Sequence, residues 1–324
     1  MPEILLSAVL LVAGAGVLTA GAEAFAEHVT AAASRLGVSV LALGVLLAGA
    51  EPEEAVTAML AAGQGHPGLA AGDAIGANLV ILTLTVGLAA LLAPLPVGRR
   101  VVQYAVAAAA AGALAVGLMA DGVLGRVEGT ALVLLYGAGV LWVWRREQAP
   151  PLIGELAELA EADEADEAAG ADRRRETQRR ALVLVLLGLL GMLAGGFLAV
   201  RGAEALVDAI GATESVVGLT VLALATSAEM LALVLAAHRR GLTEIALAGA
   251  VGSVAYNATT TLGLAAWVDP LVLGPGDPVV TIGVVTAALP LVVLTGRRSG
   301  HLPRPIGVLL ALGYVGAVGW LVVR

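Results

Sequence analysis

Carboxylates surround one proline in an otherwise apolar stretch of the chain. The segment LAGAEPEEAV holds Glu51, Glu53 and Glu54, and apolar runs precede and follow it. A second apolar stretch contains ATSAE, in which Glu229 follows two hydroxyl side chains. Carboxylate and hydroxyl oxygens are hard ligands of the kind that calcium takes. The two segments therefore indicate a cation site.

The composition is that of a polytopic membrane protein. Of 324 residues, 59% are hydrophobic and 14% are charged, whereas a soluble globular chain carries about 25% charged residues. The absence of cysteine excludes disulfides, thiolate metal sites and cysteine nucleophiles. No basic residue precedes the first apolar run, so this run is predicted to be a membrane helix rather than a cleavable signal peptide.

Ten apolar segments are predicted to span the membrane, because a spanning helix needs about 20 mostly apolar residues. They cover residues 4–25, 36–62, 72–95, 100–120, 127–144, 181–200, 213–237, 243–267, 278–295 and 305–323. The stretch between the fifth and sixth carries too much charge for burial in lipid. The predicted fold is all-α, with one five-helix repeat in 1–146, an acidic cytoplasmic loop in 147–180 and a second repeat in 181–324.

The arginines support this count. All 18 basic residues are arginines, and short cytoplasmic loops collect basic residues. With the N-terminus outside, 15 of the 18 fall on the cytoplasmic side, and only Arg126, Arg201 and Arg324 fall outside. Ten spans with both termini outside are therefore predicted, in the cell membrane. An arginine-only chain is typical of high-GC bacteria, which favours a bacterial inner membrane.

The two halves of the chain match each other. ALGVLLAGAEPEEAVTAMLAA aligns with GLTVLALATSAEMLALVLAA, which sets Glu53 against Glu229. GDAIGANLVILTLTVGLAAL aligns with AGAVGSVAYNATTTLGLAAW, which sets Gly76 against Gly252. Since five spans is an odd number, the second copy must be inverted relative to the first. Inverted repeats are a transporter architecture, with the ion site near the bilayer midplane where the copies meet.

A carboxylate near the bilayer centre needs a partner, because its insertion costs about 2.5 to 3.5 kcal/mol. No arginine lies within either segment, so the partner is predicted to be a bound cation or a proton. Pro52 interrupts the second span, and lipid tolerates such a break only where it lines a cavity or packs on protein. Without the cation, two close carboxylates cannot both stay ionised. This competition predicts exchange of a cation for protons.

The predicted ligands combine carboxylates with neutral oxygens and with main-chain carbonyls at the two breaks, since calcium takes about six to eight oxygens. The candidate metal ligands are Glu51, Glu53, Asn78, Thr226, Ser227, Glu229, Ser253 and Asn257. Some alternatives stay open: one of Glu51 and Glu54 lines the site while the other faces water, and Asp73 and Asn78 either line the cavity or only cap and pack their helix. Ser253 and Asn257, four apart on one face, suit either ligation or interhelical hydrogen bonds. No catalytic residue and no resident cofactor is predicted, since the cation is cargo.

These segments resemble the two alpha-repeats of the calcium/cation antiporter superfamily. The family motifs read G-T-S-x-P-E, or G-N-A-x-E in the calcium/proton branch, followed one helix later by G-S-N-x-x-N. Here the copies read GAEPE with GANLVI, and ATSAE with GSVAYN. The resemblance covers nearly the whole chain. It implies Glu53 and Glu229 as principal ligands, with Thr226, Ser253 and Asn257 as helpers.

Departures from the family motifs bear on the coupling ion. Ala50, Ala77 and Ile81 stand where the family has hydroxyl or amide side chains, which its sodium/calcium exchangers use for sodium. Glu51 adds a titratable carboxylate opposite Ser227. The leading hypothesis is therefore a secondary antiporter that exchanges calcium for protons with alternating access, and sodium/calcium exchange is the alternative. The expected partners are these ions and the lipid bilayer, with no nucleic acid and no evident partner protein.

An enzyme is the competing class. A metal-dependent intramembrane hydrolase of lipid phosphates would also use an acidic cluster, with a metal-bound water as nucleophile. It would need basic side chains in its cavity to hold the phosphate, and no arginine lies in the middle of a predicted span. A non-transporting scaffold would leave the matched carboxylates unexplained. The chain is therefore predicted not to be an enzyme.

Overall fold

The computed structural model describes residues 2–36, 51–147, 171–231 and 243–323, and almost all of them are helical. In the first half the elements are α1 (Pro2–Leu36), α2 (Pro52–Gly63), α3 (Pro67–Leu79), the π-helical segment π1 (Val80–Thr85), α4 (Val86–Leu92), β1 (Leu95–Pro96), α5 (Arg99–Leu118), β2 (Val123–Leu124) and α6 (Arg126–Glu147).

The second half begins with the longest described helix, α7 (Ala171–Ile210). It continues with α8 (Glu214–Val217), π2 (Gly218–Leu222), α9 (Ala223–Thr226), α10 (Thr243–Tyr256), π3 (Asn257–Thr261), α11 (Leu262–Val268), β3 (Leu271–Val272), α12 (Pro278–Ala288), a 3-10 segment (Leu289–Gly296), β4 (His301–Leu302) and α13 (Arg304–Val323).

Within the described ranges, seven helices are long and apolar enough to cross a membrane. They are Glu3–Phe25, Pro67–Leu92, Arg99–Leu118, Arg126–Val143, Arg180–Ile210, Pro278–Gly296 and Arg304–Val323. Each matches one of the ten predicted spans. The predicted spans 36–62 and 213–237 include residues outside the described ranges. The remaining one, 243–267, lies on a continuous helical run whose middle is polar, so it is not among the seven.

The last part of the predicted loop 147–180 is helical. Residues 148–170 of this loop lie outside the described ranges, but α7 already begins at Ala171, ten residues before the predicted sixth span. The added stretch, ADRRRETQRR, contains five arginines, and arginine favours helix. This helix therefore extends beyond its apolar part.

The repeat in sequence is also a repeat of local structure. Pro67–Leu92 and the run from Thr243 to Val268 each form a helix, a π segment and a helix, and a two-residue strand follows at the same interval. All these elements are 176 residues apart, the separation between Gly76 and Gly252. Thr83 and Thr259 repeat too, since each hydroxyl donates to the carbonyl four residues earlier.

Two short antiparallel ladders join the halves. β1 pairs with β4, with Leu95 opposite Leu302, and β2 pairs with β3, with Val123 opposite Val272. Each ladder thus connects a loop of one half to a loop of the other half.

Two sets of helix contacts position the centre of the molecule: those between α1 and α7, and those of α3. α1 and α7 pack closely on each other through small residues: a Cβ on Gly195 would lie 2.4 Å from the nitrogen of Leu18, and one on Gly21 would lie 2.6 Å from that of Met192. The central helix is α3, in which every residue from Gly68 to Leu79 is buried. It contacts α2, π2, α8, α9 and α12, so it meets both halves.

Candidate cation site

Carboxylates cluster at the start of α2. The helix begins at Pro52, which has no N–H to leave unsatisfied in the first turn. Glu51, Glu53 and Glu54 are 7%, 4% and 0% exposed. The sequence places them around the proline break, and the fold then encloses all three. A helix N-terminus favours negative charge, which offsets part of the cost of this burial.

The break in the second half faces these carboxylates. α9 ends at Thr226, and the hydroxyl of Ser227 donates a 2.8 Å hydrogen bond to Oε1 of Glu54. The hydroxyl of Thr226 donates a 3.0 Å hydrogen bond to Oδ1 of Asp73 on α3. All four side chains are buried. Two consecutive residues of one half therefore hold two carboxylates of the other half.

The Glu51 carboxyl lies beside Glu54 and beside Ser253 and Asn257 of the second half. No hydrogen bond of normal geometry reaches either Glu51 oxygen, and the Ser253 hydroxyl also has no partner. Asn257 accepts a 3.0 Å hydrogen bond from Thr261, while its Nδ2 has no partner. Buried polar groups are rarely left unsatisfied, because their desolvation is costly. These atoms line a place suited to a polar ligand.

The buried ionisable side chains described in this centre are all acidic. Glu51, Glu53, Glu54 and Asp73 are buried, and no buried arginine or histidine accompanies them in the part of the chain that the structure describes. The ion pairs found there are nearer the surface, as with His66 and Glu214 at 2.9 Å. Ionisable residues buried within membrane spans are normally paired or functional.

The carboxylates lie near one another, but they do not by themselves form a complete coordination shell for a metal ion. Among the described residues, no three acidic or histidine side chains converge as metal ligands. A cation bound here would take part of its coordination from hydroxyl, amide and main-chain oxygens, as calcium does in proteins.

The remaining predicted ligands differ in their burial and in their hydrogen bonds. Glu53 is buried on α2, whereas Glu229 lies just beyond the break at Ser227 and is partly exposed. Asn78 is buried on α3, and its amide donates a 3.2 Å hydrogen bond to the carbonyl of Val254. That bond joins two positions 176 residues apart, so Asn78 connects the two repeated helices.

Two residues outside the predicted ligand set belong to this centre. Glu54 is fully enclosed and bonded to Ser227, and Asp73 is fully enclosed and bonded to Thr226. The alignment of the two repeats sets Glu53, not Glu54, against Glu229, and so it does not indicate Glu54 as a ligand. The sequence could have indicated Asp73, because it is the only charged residue in the apolar stretch 67–92.

Fold and site together define a membrane-embedded helical bundle with a buried acidic centre. The family model described as "Sodium/calcium exchanger protein" matches residues 4–145 and 180–323. The chain therefore belongs to the sodium/calcium exchanger family, which confirms the resemblance seen in the motifs. It is a membrane protein of ion transport, an antiporter rather than an enzyme.

Individual relatives agree over most of the chain. "Putative antiporter CaxA" of Alkalimonas amylolytica is 28% identical over 97% of this chain and 95% of its own. "Inner membrane protein YrbG" of Escherichia coli (strain K12) is 27% identical over 86% of this chain and 83% of its own. A solved structure of the sodium-calcium exchanger NCX_Mj has a TM-score of 0.59 at 23% identity, covering 98% and 97% of the two chains. The last likeness shows the same fold.

Proposed function

We propose that the protein is a secondary active antiporter that exchanges calcium, or a similar divalent cation, for protons. One observation carries this proposal: three buried carboxyl side chains, Glu51, Glu54 and Asp73, lie at the centre without a buried basic residue among the described residues. A cation and protons can each neutralise such a set, and each displaces the other.

The proposed ligands come from both halves. The first half supplies carboxylates at Glu51, Glu53, Glu54 and Asp73, and the second supplies neutral oxygens at Thr226, Ser227, Ser253 and Asn257, with Glu229 beyond the break. A mixture of charged and neutral oxygens suits calcium. Asn78 contributes by joining α3 to α10 through the carbonyl of Val254. No resident cofactor is needed, since the cation is the cargo.

Two neutral ligands of the second half have no counterpart in the first half. This lack of symmetry favours proton coupling over sodium coupling. Ser253 and Asn257 correspond, 176 residues earlier, to Ala77 and Ile81, and both of these are buried and apolar. Half of the neutral oxygens that a symmetric site would offer to sodium are therefore absent. The printed names of the family and of NCX_Mj favour sodium/calcium exchange, which is the second candidate.

The proposed topology has ten spans in two inverted halves, 1–146 and 181–324, with the acidic loop 147–180 cytoplasmic and both termini outside. The strand pairing supports it: β1 and β4 lie in loops predicted to be cytoplasmic, and β2 and β3 lie in loops predicted to be outside. An odd number of spans per half makes the second copy inverted. Alternating access around a midplane site is the mode of transport expected of such repeats. The protein named YrbG is an inner membrane protein, and we propose the bacterial inner membrane here too.

Flux into proteoliposomes tests the proposal. Purified protein would be reconstituted, and calcium uptake measured with an imposed proton gradient, an imposed sodium gradient or neither. Uptake driven by the proton gradient is expected, and Glu54→Gln should abolish it while Glu3→Gln, an exposed acid near the N-terminus, should not. Uptake that needs sodium would instead establish the second candidate. No flux of calcium, manganese or potassium under any gradient would refute antiport.

A further inference from the structure

Asp73 is a buried carboxylate that the repeat motifs do not contain. It lies on α3 with no exposed surface. Its Oδ1 accepts the hydroxyl of Thr226 at 3.0 Å, while its Oδ2 has no partner. The matching position in the second half, 176 residues later, is Gly249. Asp73 therefore gives the centre a charge that has no symmetric counterpart.

Close backbone packing fixes Asp73 against the second half. A Cβ on Gly72 would lie 2.9 Å from the Cα of Gly218, and a Cβ on Gly76 would lie 2.7 Å from the carbonyl oxygen of Leu219. These glycines lie on either side of Asp73 along α3, so the helix cannot move away from π2 and α9 without losing these contacts. The carboxylate is consequently held at the break that ends at Thr226.

Asp73 and Glu54 belong to one electrostatic unit. The carboxyls of Glu51, Asp73 and Glu53 all lie close enough to Glu54 to repel its negative charge. Thr226 bonds Asp73 and Ser227 bonds Glu54, so adjacent residues hold the two carboxylates on either side of the break. The buried Ser253 hydroxyl, which has no partner, lies beside Glu51 in the same centre. Together these atoms indicate a ligand-binding place rather than a chance group of acids.

We propose that Asp73 is a specificity-determining residue of the cation site, and that its carboxylate makes the site prefer divalent over monovalent cations. This inference rests on the proposed cation site but not on proton coupling. Coulomb attraction to a doubly charged ion is twice that to a singly charged ion at the same distance. Each added carboxylate therefore increases the difference between the two, and calcium affinity in proteins follows the number of charged ligands. Thr226 positions the Asp73 carboxylate for this role.

Direct binding tests the inference. Apparent affinities for calcium and for sodium would be measured on the purified full chain in detergent, by equilibrium binding of radioactive calcium and its competition by sodium. Asp73→Asn keeps the shape of the side chain and an oxygen for Thr226, but removes the charge. We expect it to weaken calcium binding by about 10–100-fold, as loss of a group that supports a metal site does, and to weaken sodium binding by only about 3–10-fold, because a singly charged ion loses half as much Coulomb energy. Asp208→Asn, an exposed acid on α7, serves as the matched control.

A second variant separates charge from positioning. Thr226→Val removes the hydrogen bond and keeps the carboxylate, so it should weaken calcium binding less than Asp73→Asn does, in the same direction. Equal calcium affinity in wild type and Asp73→Asn would overturn the inference, and so would an equal loss for both cations. If Asp73→Asn does not purify as a folded protein, unchanged binding in Thr226→Val overturns it. If wild type binds calcium but does not exchange it for protons, only the proposed coupling fails.

Discussion

Ser227 donates a 2.8 Å hydrogen bond to Glu54 across 173 residues of sequence. Both side chains are buried, and each lies at a helix break in its own half of the chain. The bond therefore connects the first turn of α2 in one half to the end of α9 in the other half. A cation that binds Glu54 would be in contact with both halves through this one pair.

Glu54→Gln should abolish calcium transport. The amide keeps the size of the side chain but removes a charge that is fully enclosed and that no described basic residue neutralises. We expect calcium uptake into proteoliposomes to fall to background, while the gel-filtration profile stays that of a folded protein. Ser227→Ala should lower the apparent calcium affinity with a smaller loss, because it removes only one neutral oxygen. Wild-type uptake in Glu54→Gln would contradict this assignment.

Glu229→Gln should have a weaker effect than Glu54→Gln. Glu229 is partly exposed, although its Oε2 is buried, whereas Glu54 is fully enclosed, so we expect the cation to gain less from Glu229 than from Glu54. We expect residual proton-driven uptake with a raised apparent Km for calcium, measured in the same vesicles. Complete loss in Glu229→Gln with normal uptake in Glu54→Gln would show that the residues set against each other by the alignment are the principal ligands after all.

Much of the fold follows from the sequence. Apolar length alone predicted the seven spans that the described residues contain, because a bilayer imposes the length of its helices. The match between GDAIGANLVILTLTVGLAAL and AGAVGSVAYNATTTLGLAAW predicted the repeated helix, π segment and strand. The early start of α7 was not predictable from hydropathy, since its first residues are charged.

The site was predictable in its residue types but not in its contacts. The sequence places carboxylates within apolar segments. Because placing charge in lipid is costly, this indicated that the carboxylates are buried inside the protein. Which acid meets which hydroxyl depends on the rotation of α2 about its axis, and Glu53 and Glu54 lie only one residue apart. Asp73 comes to the centre because Gly72 and Gly76 let α3 approach π2 and α9, and tertiary packing of this kind leaves no local pattern.

Gly76→Ala should destabilise the protein far more than Gly16→Ala. A Cβ on Gly76 would lie 2.6 Å from the Cβ of Ala223 and 2.7 Å from backbone atoms of Leu219. Backbone cannot yield as a side chain can, so overpacking of about 1 to 3 kcal/mol is expected. A Cβ on Gly16 would meet nothing within 4 Å. Thermal unfolding in detergent should show a lower midpoint for Gly76→Ala alone, and equal midpoints for the two variants would argue against the close packing of α3.

Calcium should stabilise the protein against heat, and more at high pH than at low pH. A ligand that binds only the folded state stabilises it by RT ln(1 + [L]/Kd), about 2.7 kcal/mol at 100 times Kd. Protons compete with calcium for the same enclosed carboxylates, so raising the pH lowers the apparent Kd and enlarges the shift in the unfolding midpoint. The measurement is the midpoint with calcium and with a chelator, across a series of pH values. Glu54→Gln should show a small shift at every pH. A wild-type shift that does not change with pH but falls as sodium is added would refute proton competition and identify sodium as the coupling ion.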